Sequence, residues 1–168
     1  MKSSKIVEGD LLFHAAHGLC RVERLIGRDR AGKTPGYSIV PRTMSRMKVR
    51  FLVPASDLEV SGFHRIVSRK AANKILDYLK SGRTDTEETD QAWVLARNIL
   101  SFSADKLKTR DQRKRQLLEH SVRGLVGELA CSFKITLREA VSKVEKSLMK
   151  MSKSDPLVFA ALERAVED

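Results

Sequence analysis

The period of the apolar pattern changes once along this chain, close to residue 67, and that change restricts the fold more than any other feature. Up to about residue 66, apolar residues come in short runs broken by turn residues, as strands require. From Ser68 onward they recur every three or four positions, as amphipathic helices require. Strands first and helices after predict an α+β chain of two domains, 1–66 and 67–168.

In the first part, "DLLFHAAHGLCRVERLIG" predicts two strands joined at His17-Gly18. "AGKTPG" is a turn, "YSIV" a strand that Pro41 ends, and "MKVRFLVP" a further strand. Alternation along the last places Val49, Phe51 and Val53 toward a core and Arg50 and Leu52 outward. Several short strands in about 60 residues predict a small, strongly bent barrel. A core that small is marginal alone and gains from contact with the second part or with a partner.

Five helices are predicted after it. Ser68 caps the first, Ala72, Ile75, Leu76 and Leu79 form its apolar face, and Gly82 ends it. After the polar connector "RTDTEETDQ", a second helix runs from about Asp90 to Ser103. Thr109-Arg110-Asp111-Gln112 is a capping box for the third, which aligns Leu118, Val122, Leu125 and Leu129. Thr136-Leu137-Arg138-Glu139 is another, followed by Val141, Val144 and Leu148. Asp155-Pro156 supplies N-cap and first residue for a helix carrying Val158, Leu162 and Val166.

Charge then narrows the class of partner. The 32 Lys and Arg against 21 Asp and Glu leave +11, which favours a polyanion such as nucleic acid over a merely soluble surface. "KLKTRDQRKR", residues 106–115, holds six basic residues and one acid. Cations opening a helix oppose its dipole, so this cluster calls for another reason, and phosphate binding by Lys106, Lys108, Arg110, Arg113, Lys114 and Arg115 supplies one. The alternative is a solvated face whose Asp111 and neighbouring acids offset it.

Catalytic motifs are missing from the sequence. There is no Gly-rich phosphate loop, Cys-x-x-Cys pair or nucleophile elbow. His14-x-x-His17 has a spacing that suits metal, but no clustered carboxylate or thiol completes a set of four ligands. His17 is expected to hydrogen-bond within its turn. The acids are scattered, with no pair in apolar sequence for acid–base work. The expectation is a non-enzyme without cofactor or metal. No apolar run is long enough to span a bilayer and no signal peptide opens the chain. Cys20 and Cys131 are expected as two buried thiols in a reducing cytoplasm.

Several of these segments, in this order, resemble the CarD/CdnL family of bacterial RNA polymerase-binding transcription regulators. "VEGDLLFHAAHGLCRVERLIG" is similar to the family's opening, where a Gly-Asp turn leads to an aromatic, a His-Gly and a Val-rich strand. "FLVPASDLEVSGFHRIVS" is similar to its strand, Pro-Ala turn and Gly-x-Arg-x-Val-Ser segment. Trp93, in "TEETDQAWVLARNIL", matches a family tryptophan at a helix N-terminus, and "ITLREAVSKV" is similar to a later capping box. The resemblance implies a Tudor-like, SH3-like β-barrel module that grips the polymerase β subunit, with Arg28 at a basic contact position and Arg50 and Leu52 on the outward strand face. It also implies a helical DNA-binding domain whose Trp93 ring meets the upstream edge of melted promoter DNA.

The chain departs from the family in three places. Phe13-His14 replaces the aromatic-proline before His-Gly, and Leu52 stands where some members carry an arginine that Arg50 on the same face can replace. Of the basic residues that follow the family's tryptophan, only Arg97 is present, which moves phosphate contact toward 106–115. For Trp93, composition alone favours a core anchor, whereas the resemblance favours a surface wedge stacked on opened DNA. The expected protein is a monomeric cytoplasmic regulator, held at the nucleoid through polymerase, that stabilises the open complex. An architectural DNA-binding protein and a protein–protein adaptor are the alternatives.

Overall fold

The structure is a computed structural model that describes residues 5–27, 35–42, 49–84, 88–104, 111–151 and 155–167. The chain divides into two compact units, Met1–Ile66 and Val67–Asp168, at the point where the sequence period changes. The fold is α+β, an antiparallel five-stranded sheet followed by five helices.

In the first unit the strands are β1 (Leu11–His14), β2 (Gly18–Ile26), β3 (Gly36–Pro41), β4 (Phe51–Pro54) and β5 (His64–Arg65). Their order is β4-β3-β2-β1-β5. Gly18, at φ +67, takes the left-handed position that the β1–β2 turn requires. Gly36 is needed for a different reason, since a Cβ there would lie 2.5 Å from the Val53 carbonyl oxygen on β4. Inward residues of alternating strands make the core, namely Leu12, Cys20, Val22, Ile39 and Val53 with Leu58 and Phe63 from the β4–β5 connection. Burial pushes the Cys20 thiol pKa up to about 11.

The expected barrel does not close. Among the described residues β4 and β5 are the two edges, and β5 has only two residues, both paired to β1 through Leu12↔Arg65 and Phe13↔His64. Side chains span the gap instead. Phe51 of β4 and Phe63 beside β5 lie 5.5 Å apart between centroids, and His14 and His17 join the group at 4.8 and 4.6 Å. The sheet is thus bent enough for its edges to meet through rings but not through backbone hydrogen bonds. The strand expected over "MKVRFLVP" also begins later, at Phe51, and Val49 is exposed rather than inward.

The second unit comprises α1 (Arg69–Ser81), α2 (Gln91–Ala104), α3 (Gln112–Phe133), α4 (Leu137–Met149) and α5 (Pro156–Glu167). Local chemistry sets most of their ends. The Ser68 hydroxyl accepts from the Ala71 N–H, Gly82 closes α1 in the left-handed region, and Thr136 with Glu139 forms a complete capping box. The Asp155 carboxylate accepts from the Leu157 N–H ahead of α5. At α3 the cap is Asp111, which accepts from the Lys114 N–H at 3.2 Å, not Thr109, which lies outside the described residues. A carboxylate at position 111 reaches the third helical N–H, and that selects the start at Gln112.

Helix α3 is central and touches each of the other four. Leu118, Val122, Leu125 and Leu129 are buried along it, as are Val141, Val144 and Leu148 of α4. Leu137 is exposed, Leu76 and Val166 are half-buried, and α5 packs through Val158, Ala161, Leu162 and Ala165. Two polar links tie the interior together. The buried Glu128 carboxylate on α3 accepts from the Val67 N–H at 3.0 Å, and Asn98 donates to buried Ser121 at 3.2 Å. Among the described residues no helix is long and apolar enough to cross a membrane.

Candidate functional site

On the sheet, β2 carries a bulge between Val22 and Arg24 that makes Glu23 an extra residue in its strand. Its carboxylate accepts from the Ser38 hydroxyl at 3.1 Å and is gripped at both oxygens by Arg50, Nε at 2.9 Å and a terminal nitrogen at 3.0 Å. The Arg50 hydrogen bond above all, and then that of Ser38, holds the Glu23 carboxyl below the usual carboxylate range. Arg50 is therefore a fixed, half-exposed charge and not a free one. Leu52 stands next to it on β4 with 65% of its surface exposed. Arg50, just before this edge strand, and Leu52 on it both face outward, as the sequence predicts, whereas Val49 does not turn inward. Arg28 lies outside the described residues.

His14 and His17 stack on each other at 4.6 Å. The Ala16 N–H donates to His14 Nδ1, which leaves the proton on Nε2 to donate to the Ser61 carbonyl at 3.1 Å. Both His14 nitrogens are thus engaged by the backbone. The His17 N–H bonds the His14 carbonyl, as the turn requires, while its ring packs on Phe51. No group of three potential metal ligands occurs among the described residues.

In the helical unit the surface-wedge expectation for Trp93 is overturned. The ring is 1% exposed and packs on Tyr78 of α1, with centroids 5.6 Å apart. Helix α2 buries Ala92, Trp93, Leu95, Ala96, Ile99, Leu100 and Phe102, about half its circumference, because α1, α3 and α5 all lie against it. Val94 is the large apolar residue of α2 left facing out, at 39%. Leu95, Ile99 and Phe102 make only part of this face, and Trp93 fills its margin toward α1. Its Nε1 is buried and has no hydrogen-bond partner among the described residues.

Arg97 is likewise turned inward. It is half-buried, and its guanidinium donates to the Glu88 carbonyl, whose carboxylate meets Lys74 of α1 at 3.7 Å. Arg97 thus fastens the segment that enters α2, so the free phosphate-seeking guanidinium expected there is engaged internally. Arg113, Lys114 and Arg115 are exposed on the first turn of α3. Lys106, Lys108 and Arg110 lie outside the described residues.

One concentration of charge escapes any sequence window. Arg69 of α1 and Lys143 of α4 both lie over the Phe133 ring at the end of α3, 5.9 and 5.4 Å from its centroid. Three segments far apart in sequence build it, and no local motif marks it. Compared with known families and with curated proteins, the chain matches no family model and no curated protein.

Proposed function

We propose that this chain is a non-enzymatic bacterial transcription regulator of the CarD/CdnL kind. Its first unit, a Tudor-like module, binds the RNA polymerase β subunit, and its helical unit holds promoter DNA near the upstream edge of the transcription bubble. The observation that carries the reading is the exposed Arg113-Lys114-Arg115 turn of α3. Cations at the positive end of a helix dipole weaken the helix, and a phosphate backbone relieves that repulsion. Contacts of that kind position the protein without reading bases, so selection of sequence rests with the polymerase.

Support for the polymerase contact comes from the Leu52 and Arg50 face on the β4 edge. An exposed apolar residue on an edge strand, with an oriented charge just before that strand, suits a partner strand. With the Trp93 ring inside the core, stabilisation of the open complex comes from tethering. Binding polymerase raises the local concentration of the cationic helix at DNA, and any phosphate contact made better in the open state shifts the population toward it.

The test is the lifetime of the open complex with purified polymerase, with and without this protein. A longer lifetime is expected, and retention of polymerase without DNA should accompany it. An unchanged lifetime with polymerase retained would leave an adaptor. That second reading draws on a specific observation, since Trp93 and Arg97 are both engaged inside the fold. DNA binding without polymerase retention would point to an architectural protein.

A further inference from the structure

The C-terminal end of α3 gathers cations from three helices around Phe133, whose ring is buried. Arg69 opens α1, Lys143 lies in the middle of α4, and Lys134 follows Phe133 directly at φ +58. Lys70 and Lys146 adjoin them, both exposed. Attraction to the ring explains where the two cations rest but does not cancel their charge. Held over one ring, they lie roughly a Debye length apart or less and repel each other.

One nearby acid offsets them only in part. Among the described residues neither Arg69 nor Lys143 is in an ion pair. Glu139, one turn before Lys143, is held by the Thr136 N–H at 2.8 Å and its hydroxyl at 2.9 Å. The first turn of α1 contains no acid. The Glu139 charge, coupled to Lys143, is a single one against the cations of Arg69, Lys134 and Lys143, and a cluster left with such an excess is suited to an external anion.

Spacing narrows the anion. Twenty residues of helix separate Arg113 from Phe133, about 30 Å at 1.5 Å per residue, close to the roughly 34 Å turn of duplex DNA. Between these ends α3 exposes Gln116, His120 and Arg123, and the half-exposed Glu119 beside them is paired with Arg164 at 2.8 Å. The Phe133 ring is covered and offers no surface for stacking on a base, so the contact is with phosphates.

We propose that Arg69, Lys134 and Lys143 form a second contact for the phosphate backbone of duplex DNA, one turn of duplex from the Arg113–Arg115 contact. The proposal rests on the DNA reading of the helical unit. One duplex lying along α3 would meet both ends of the helix.

The test uses the full chain and duplexes of about 8 and about 20 base pairs, the shorter only about 27 Å long. In the parent, the slope of log affinity against log salt should steepen on the longer duplex. Arg69→Gln with Lys143→Gln should remove that gain, lowering the slope on the long duplex by about 1.8 and the affinity about tenfold or more. On the short duplex the same variant should bind as the parent does. The charge-preserving pair Arg69→Lys with Lys143→Arg should keep the parental slope; loss there as well would mark a packing role and overturn the proposal. A parent that binds, with a Gln variant of unchanged slope on the long duplex, overturns this contact alone. A parent that fails to bind any duplex at about 50 mM salt overturns the DNA reading itself. Loss of polymerase retention with DNA binding intact would assign the patch to a protein and likewise overturn it.

Discussion

The indole of Trp93 lies against the phenol ring of Tyr78, 5.6 Å between centroids and tilted by 52°, which joins α2 to α1 inside the helical core. Removing so large a buried ring leaves a cavity that helices on three sides cannot fill. Trp93→Ala should destabilise the protein by roughly 3–5 kcal/mol, measured by denaturant unfolding. Trp93→Phe should cost less, because it keeps most of the contact with Tyr78 and removes a buried N–H that has no partner among the described residues. A stability loss near zero in the Ala variant would return the ring to the surface.

Glu128 gives a polar counterpart. Its carboxylate accepts from the Val67 N–H, so Glu128→Leu leaves that buried donor unpaired. The expected loss is about 1–3 kcal/mol. Amide exchange at Val67 checks the mechanism, since it should quicken in the variant more than exchange in the middle of α3.

Acid should weaken the link between β2 and the start of β4. The Arg50 guanidinium and Ser38 hydroxyl hold the Glu23 pKa below its unfolded value of about 4.3. A folded pKa below the unfolded one adds stability that is fully present above about pH 4.3 and is lost as pH falls through the folded pKa. The stability gap between parent and Glu23→Gln should therefore be widest near neutral pH and close under acid. A gap independent of pH would mean that the ion pair is not formed in solution.

Cys20 should resist alkylation in the folded protein. Its thiol is fully buried, and its pKa of about 11 leaves little thiolate at pH 8. Mass spectrometry after iodoacetamide treatment should find it unmodified until denaturant is added. Modification at the rate of an exposed thiol would show that the sheet core opens readily.

On the DNA side, Arg113→Gln with Lys114→Gln should weaken duplex binding and lower the salt slope by about 0.9 for each phosphate no longer neutralised. The melting temperature should hold or rise slightly, because the substitutions remove cations from the positive end of α3. A parental slope would make this turn a solvated surface.

Much of this fold is determined by the sequence alone, because the forces involved act over a few residues. Ser68, Gly82, Thr136 with Glu139, and Asp155-Pro156 set helix ends through bonds to neighbours within four positions. The change of period fixes strands before Ser68 and helices after it, since side-chain direction follows backbone geometry. The tertiary structure decides what depends on partners brought from afar. It sets Trp93 inside because α1 and Tyr78 cover the margin of α2, and it turns Arg97 to the Glu88 carbonyl. It leaves the sheet joined at its edges by Phe51 and Phe63 and fixes Arg50 on a carboxylate 27 residues away. Arg69 and Lys143 meet only because three helices end or cross at Phe133. A one-dimensional pattern reports which face of an element is apolar; which neighbour covers each edge of that face is set by packing.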